Sequence, residues 1–196
     1  MTSVIVKDKL KEVVKSINSL VSQVVLVGIP EVDDARREDD ESGKVKISKG
    51  IVSGGSETQI NNATLGYIHE NGSPANNIPA RPFLVPGVQS AQTKIESRLK
   101  KAANAALDGN FGNVDNELNG AGMVARDSVK TKINSGDFVP LAESTLKARA
   151  RRGRKGAEEE LANRLAGGNP SNDSAKPLIV TGQLRNSINY VIRKAN

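Results

Sequence analysis

The chain's one histidine stands beside a glutamate, His69-Glu70, and an imidazole next to a carboxylate is a common start for acid–base chemistry. The spacing works against that chemistry. Residues 62–71 read as a helix, and adjacent helical side chains leave the axis about 100° apart, so the two groups do not reach each other. The favoured reading is a partly exposed histidine in a last helical turn, where a cation suits the helix dipole. A second candidate is the acidic stretch Glu31–Glu41, whose Asp33, Asp34, Asp39, Asp40 and Glu41 offer oxygen ligands for a hard cation. It lacks the glycine turn and spaced ligands of a calcium loop and reads instead as a solvated acidic loop. There is no cysteine for a disulfide or thiolate site, and one histidine falls short of the common zinc sets. No phosphate-cradling loop or serine elbow is present. The sequence therefore points away from an enzyme and implies neither metal nor cofactor.

Two groups of cations remain. Lys147, Arg149, Arg151, Arg152, Arg154 and Lys155 form a basic run able to contact phosphates. The chain has two tyrosines, three phenylalanines and no tryptophan, too few for the stacking platforms of single-strand binders. Docking against an acidic protein surface, or plain solvation, is favoured; nucleic-acid binding through residues 147–155 is the alternative. Arg81 is different, because Pro79 and Pro82 hold it on stiff backbone. It can pair with Glu70 inside the fold or reach a carboxylate of a neighbouring subunit, and the internal pair is favoured.

These residues hang on elements that periodicity outlines. Leu10, Val13, Val14, Ile17, Leu20 and Val21 fall on one face of a helix over 9–21, which runs into a short β-branched segment, Val24–Val27, expected as a buried strand. Residues 44–52 alternate weakly, as an edge strand would. The helix 62–71 ends at Gly72, a usual C′ residue. Ile78-Pro79-Ala80-Arg81-Pro82 then forms an extended strap that turns Phe83 and Leu84 inward and starts a helix near Pro86. Val88, Ala91, Ile95, Leu99, Ala102 and Ala106 mark one long helix to about Asp108. Gly109-Asn110-Phe111-Gly112 breaks it, and Leu118, Ala121, Ala125, Val129 and Ile133 mark a second, making a helical hairpin. Shorter helices are expected over 141–150 and 157–166. Near the end, Thr181 is expected to cap a helical turn that feeds a strand through Ile188, Tyr190 and Ile192.

The whole reads as a single domain over 1–196, with mobile insertions at 31–61 and 151–176 that are too polar to bury themselves. A chain of this size can bury roughly 70% of its unfolded surface, but few aromatics make a thin core. The net charge of +6 hints at an acidic partner. No apolar run approaches the roughly 18 residues of a membrane span, and Met1-Thr2-Ser3-Val4 lacks the layout of a signal peptide. A soluble product made in a cytoplasm is expected.

Three pieces, Tyr67–Gly72, Ile78–Leu84 and Leu178–Ile188, together resemble the signature of tailed-bacteriophage tail-completion, or neck, proteins. Ile78-Pro79-Ala80-Arg81-Pro82-Phe83-Leu84 matches the family's strap, and Leu178, Thr181, Gly182, Leu184, Ser187 and Ile188 match its L-x-x-T-G-x-L-x-x-S-I close. In the first piece the family runs Y-x-x-x-H-E-x-G, whereas here Tyr67 precedes His69 by only two residues. The resemblance implies an α+β fold, several helices packed on a small, mostly antiparallel sheet, with long charged loops. It implies a virion structural protein at the head–tail joint, assembled in the host cytoplasm, with no cofactor, turnover or membrane. Its partners would be itself, as a hexameric ring, the head connector or adaptor, and the tail terminator or tail tube. Channel DNA would pass nearby without sequence-specific binding. In such a ring one patch of the subunit meets a different patch of the next. Asp33, Asp34, Asp39 and Asp40 on one side, and Arg149, Arg151, Arg152, Arg154 and Lys155 on the other, are candidates for that contact, with Arg81 and Glu70 at the strap.

Overall fold

A computed structural model describes residues 10–30, 37–39, 45–47, 51–52, 56–57 and 61–195. The fold is α+β: among the described residues, eight helices accompany strands that pair only in antiparallel twos. Two of these pairs are short, β2 (Arg37–Asp39) with β3 (Val45–Ile47) and β4 (Ile51–Val52) with β5 (Ser56–Glu57). The third pairs β1 (Gln23–Gly28) with β6 (Asn189–Lys194), in a register that sets Val25 against Ile192 and Val27 against Tyr190. The expected buried strand is therefore only half-buried. Helices cover one face of this two-stranded sheet, so alternate residues point outward, and Val24 and Leu26 stand 40% and 45% exposed.

Helix α1 (Leu10–Val21) packs Ile17 and Leu20 against α4 (Gln92–Leu107), where the small side chains of Ala102, Ala105 and Ala106 let the helices approach closely. Its Leu10, Val14 and Val21, expected on the buried face, remain exposed. Helix α5 (Phe111–Ser135) is the spine. Its 25 residues span about 37 Å. They carry Val114 and Leu118 into the α1–α4 cluster at one end and Val129 and Ile133 into a second cluster at the other. Every apolar residue predicted for its inner stripe is buried. The second cluster gathers Phe83, Leu178, Leu184 and Ile188 around Val129 and Ile133. A third joins α6 (Glu143–Arg151) to α7 (Lys155–Leu165) through Leu146, Ala157, Leu141 and Ala175. The stretch 151–176 thus supplies Ala157, Ala175 and the buried Glu160 to the interior. It does not stand apart as an insertion.

The single long helix expected from Val88 onward is two helices, α3 (Leu84–Ser90) and α4, broken at Ala91. In an unbroken helix the Gly87 carbonyl would accept the Ala91 N–H. Here the Ser90 and Ser128 hydroxyls both lie within 2.8 Å of that carbonyl, and the Ala91 N–H turns to Val88 instead. Side-chain hydroxyls have replaced the backbone donor, a recognised cause of a helix break.

Gly87 is where α3 crosses α5. A Cβ there would sit 2.7 Å from the Val129 Cα, backbone that cannot swing aside. Gly87→Ala is predicted to cost about 2 kcal/mol by overpacking and to lower Tm by about 6 °C, read by calorimetry.

Candidate functional site

The three pieces that carry the family resemblance meet at one corner. Helix α2 (Asn62–Asn71) is capped at its start by Asn61, whose side chain accepts the Thr64 N–H, and ends at Gly72 with φ 76°. A Cβ on Gly72 would lie 2.8 Å from the Ala80 nitrogen, so the left-handed turn and the close approach of the strap both call for glycine. Ser73 and Ile78 then exchange backbone hydrogen bonds of 2.8 and 3.0 Å, closing a small loop, and the Arg81 N–H donates to the His69 carbonyl at 2.7 Å. The strap is thereby laid back along the end of α2.

Glu70 fixes the start of α3. Its carboxylate accepts the backbone N–H groups of Phe83, Leu84 and Val85 at 2.7, 2.8 and 3.0 Å. The first turn of a helix leaves four N–H groups without intrahelical acceptors. In α3 Glu70 takes three of them, and the fourth position is Pro86, which has none to offer. The Gly87 N–H then makes the first helical bond, to the Phe83 carbonyl. Pro86 accordingly stands third in the helix, two residues inside the start expected from sequence, because the capping carboxylate comes from another helix.

The expected internal Arg81–Glu70 ion pair is not formed. The carboxylate is fully engaged with backbone N–H groups, and Arg81, only 6% exposed, donates through Nε to the Val139 carbonyl and through Nη2 to Pro140. Burial lowers the pKa of this guanidinium. Nor do His69 and Glu70 form a couple: the glutamate caps α3 while His69 faces a cleft on the other side. Thr181 also differs from expectation. Gly182, with φ 78°, occupies the cap of α8 (Gln183–Ser187), and the Thr181 hydroxyl lies 3.4 Å from the Gln183 nitrogen, at the outer limit of a hydrogen bond.

The basic run divides. Lys147 pairs with Glu143 one turn back, at 2.6 Å. Arg149 is half-buried and donates to the Lys176 and Pro177 carbonyls at 2.9 Å, with a weaker contact to Ile179. Burial, then the charges of Arg81 and Arg154, push its guanidinium down to about 10. Arg151, Arg152, Arg154 and Lys155 are exposed around the end of α6 and the start of α7. Arg149 shares a helical face with Leu146, three residues earlier and fully buried, which draws its side chain inward. Of the acidic partners, Asp33, Asp34, Asp40 and Glu41 lie outside the described residues, and Asp39 ends β2 opposite Val45.

Between the strap, α6 and residues 177–184 lies a cleft of about 600 Å³. His69, Arg81, Arg149 and Arg152 line it, Leu65 and Leu178 are among its apolar walls, and among the described residues no aspartate or glutamate borders it. Among the same residues no group of three or more histidine, cysteine or acidic side chains is placed to hold a metal ion, and no helix is long and apolar enough to cross a membrane.

Glu160, 2% exposed on α7, pairs with Arg164 at the familiar i,i+4 spacing, the one trace of its role in the sequence. Burial alone would raise its pKa. The Ser171 N–H, the Arg164 guanidinium and the Ser171 hydroxyl outweigh that and hold it below the usual carboxylate range. Arg164 in turn donates to the Leu141 carbonyl, so this carboxylate anchors the segment entering α6. The chain matches no family model, no curated protein and no solved structure.

Both carboxylates can be tested by substitution. Glu70→Ala removes the acceptor of three N–H groups and is expected to cost about 3 kcal/mol in urea unfolding. Glu70→Gln, which keeps one carbonyl oxygen, should cost less; equal stability of the two variants and the unaltered chain would refute the cap. For Glu160, a folded pKa below the unfolded value of about 4.3 means stability present at neutral pH and lost as pH falls through the folded value. Glu160→Gln should be less stable by about 3 kcal/mol at pH 7, and the gap should close in acid, as Tm measured against pH will read.

Proposed function

We propose that this chain is a structural subunit of a tailed-bacteriophage virion, a tail-completion or neck component that joins the tail to the head connector as a ring around the DNA channel. The observation that carries the reading is the convergence of the three resembling pieces. Glu70 from the first caps the helix that begins at the end of the second, and Phe83 from the second packs in one cluster with Leu178, Leu184 and Ile188 from the third. Residues about a hundred positions apart in sequence thus build one rigid corner, as a shared structural signature requires.

Surface chemistry supports subunit contact. Leu10, Val14 and Val21 on α1 and Val24 and Leu26 on β1 expose large apolar side chains on neighbouring elements, a feature that marks interaction surfaces. The exposed cations Arg151, Arg152, Arg154 and Lys155 offer the basic side of a head-to-tail contact. Arg149 is taken up inside the fold, which weakens the alternative of a phosphate-binding run over 147–155. Neither Glu70 nor Arg81 is free to act as a general acid, base or nucleophile, since each is engaged with backbone.

Electron microscopy of particles assembled without this chain tests the proposal. Filled heads lacking tails beside headless tails are the expected products, and normally joined particles would overturn it.

A further inference from the structure

We infer that the cleft between the strap, α6 and residues 177–184 receives a carboxylate from the acidic segment Glu31–Glu41 of a second copy of this chain. The choice of occupant rests on the proposed ring; the choice of ligand chemistry rests on the cleft itself. Arg81 and Arg149 are drawn into the protein, yet among the described residues every hydrogen-bond partner they have is a neutral backbone carbonyl. Among those residues nothing bonds to Arg81 Nη1 or Arg149 Nε. Arg152 adds a third guanidinium to the lining, and no acid among the described residues borders the cleft to balance them. Buried charge without a counter-charge is unfavourable, and here the buried Arg81 and the half-buried Arg149 also repel each other. An incoming anion relieves both costs and can be bound in the forked geometry that arginine prefers.

The shape selects among anions. Arg81 lies too deep, at 6% exposure, for the convex phosphate ridge of duplex DNA to meet it. No phenylalanine, tyrosine or tryptophan among the described residues lines the cleft for a base to stack on. Its other walls set the apolar side chains of Leu65, Ile78, Leu141, Leu178 and Leu184 beside the uncharged polar ones of Asn77, Thr145, Thr181 and Gln183. A carboxylate carried on a peptide with apolar neighbours fits that combination. The segment 31–41 has seven acidic residues among eleven and places Val32 between Glu31 and Asp33. The contact is also of the required kind for a ring, one patch against a different patch.

The test is fluorescence anisotropy of a labelled synthetic peptide of residues 31–41 added to the dilute full-length chain. Saturable binding is expected. It should weaken about tenfold or more with Arg152→Glu, which lines the cleft, and much less with Arg151→Glu, which makes the same charge change outside the lining. Both positions are exposed on the surface, and a thermal melt checks that each variant folds. Equal weakening by the two variants would reduce the effect to general electrostatics and overturn the inference. So would equal binding of a peptide with its acids changed to amides, or binding of duplex DNA in place of the peptide. Failure here leaves the particle experiment unaffected, so the two readings fail separately.

Discussion

A single carboxylate organises the middle of this chain. Glu70 sits at the end of one helix and closes the start of another, accepting three N–H groups in succession, while Pro86 removes the only other donor the turn would leave open. Unsatisfied backbone donors in a part-buried turn each cost free energy comparable to a lost hydrogen bond. With Glu70 in place the strap 78–82 has one path, tied at Ile78 to Ser73 and at Arg81 to His69. Phe83 then enters the cluster around Val129 and Ile133, and Gly87 brings α3 onto α5. Remove the carboxylate, and the direction of the strap, the start of α3 and the depth of Phe83 all lose their common reference.

The same strap fixes the charge pattern of the cleft. Because Pro79 and Pro82 hold the backbone about Arg81, its guanidinium is carried to the Val139 and Pro140 carbonyls, at the entrance to α6. Arg149, on α6, performs the matching task for residues 176–179. Two cations therefore stitch three segments together through backbone carbonyls, and among the described residues they do so without an acid of their own. That arrangement holds loops in place and leaves positive charge lining the cleft. In the proposed contact, stability and recognition draw on one set of side chains.

How much of the fold is legible in the sequence depends on how local each determinant is. The inner stripe of α5 was legible because Leu118, Ala121, Ala125, Val129 and Ile133 repeat at helical spacing and all meet neighbours on one side. The helix end at Gly72, at φ 76°, was legible because glycine is the usual residue there, while the α+β class was an expectation of the family resemblance. The break between α3 and α4 was not, because the Ser128 hydroxyl that competes for the Gly87 carbonyl arrives from 41 residues away. The exposure of Val24 and Leu26 depended on how many strands would join β1, which no residue of β1 encodes. At the site, the strap and its arginine could be found from the prolines. The roles of Glu70 and Arg149 could not, since each is set by backbone groups that only the folded chain presents to them.

The most direct measurement is amide hydrogen exchange at Phe83, Leu84 and Val85 in the intact chain. Amides in a first helical turn ordinarily exchange freely, for want of an acceptor. If the Glu70 carboxylate holds this corner, all three should be protected to the degree seen for the buried middle of α5, although Val85 itself is 55% exposed. Exchange of the three at the rate of open, solvated backbone would contradict it.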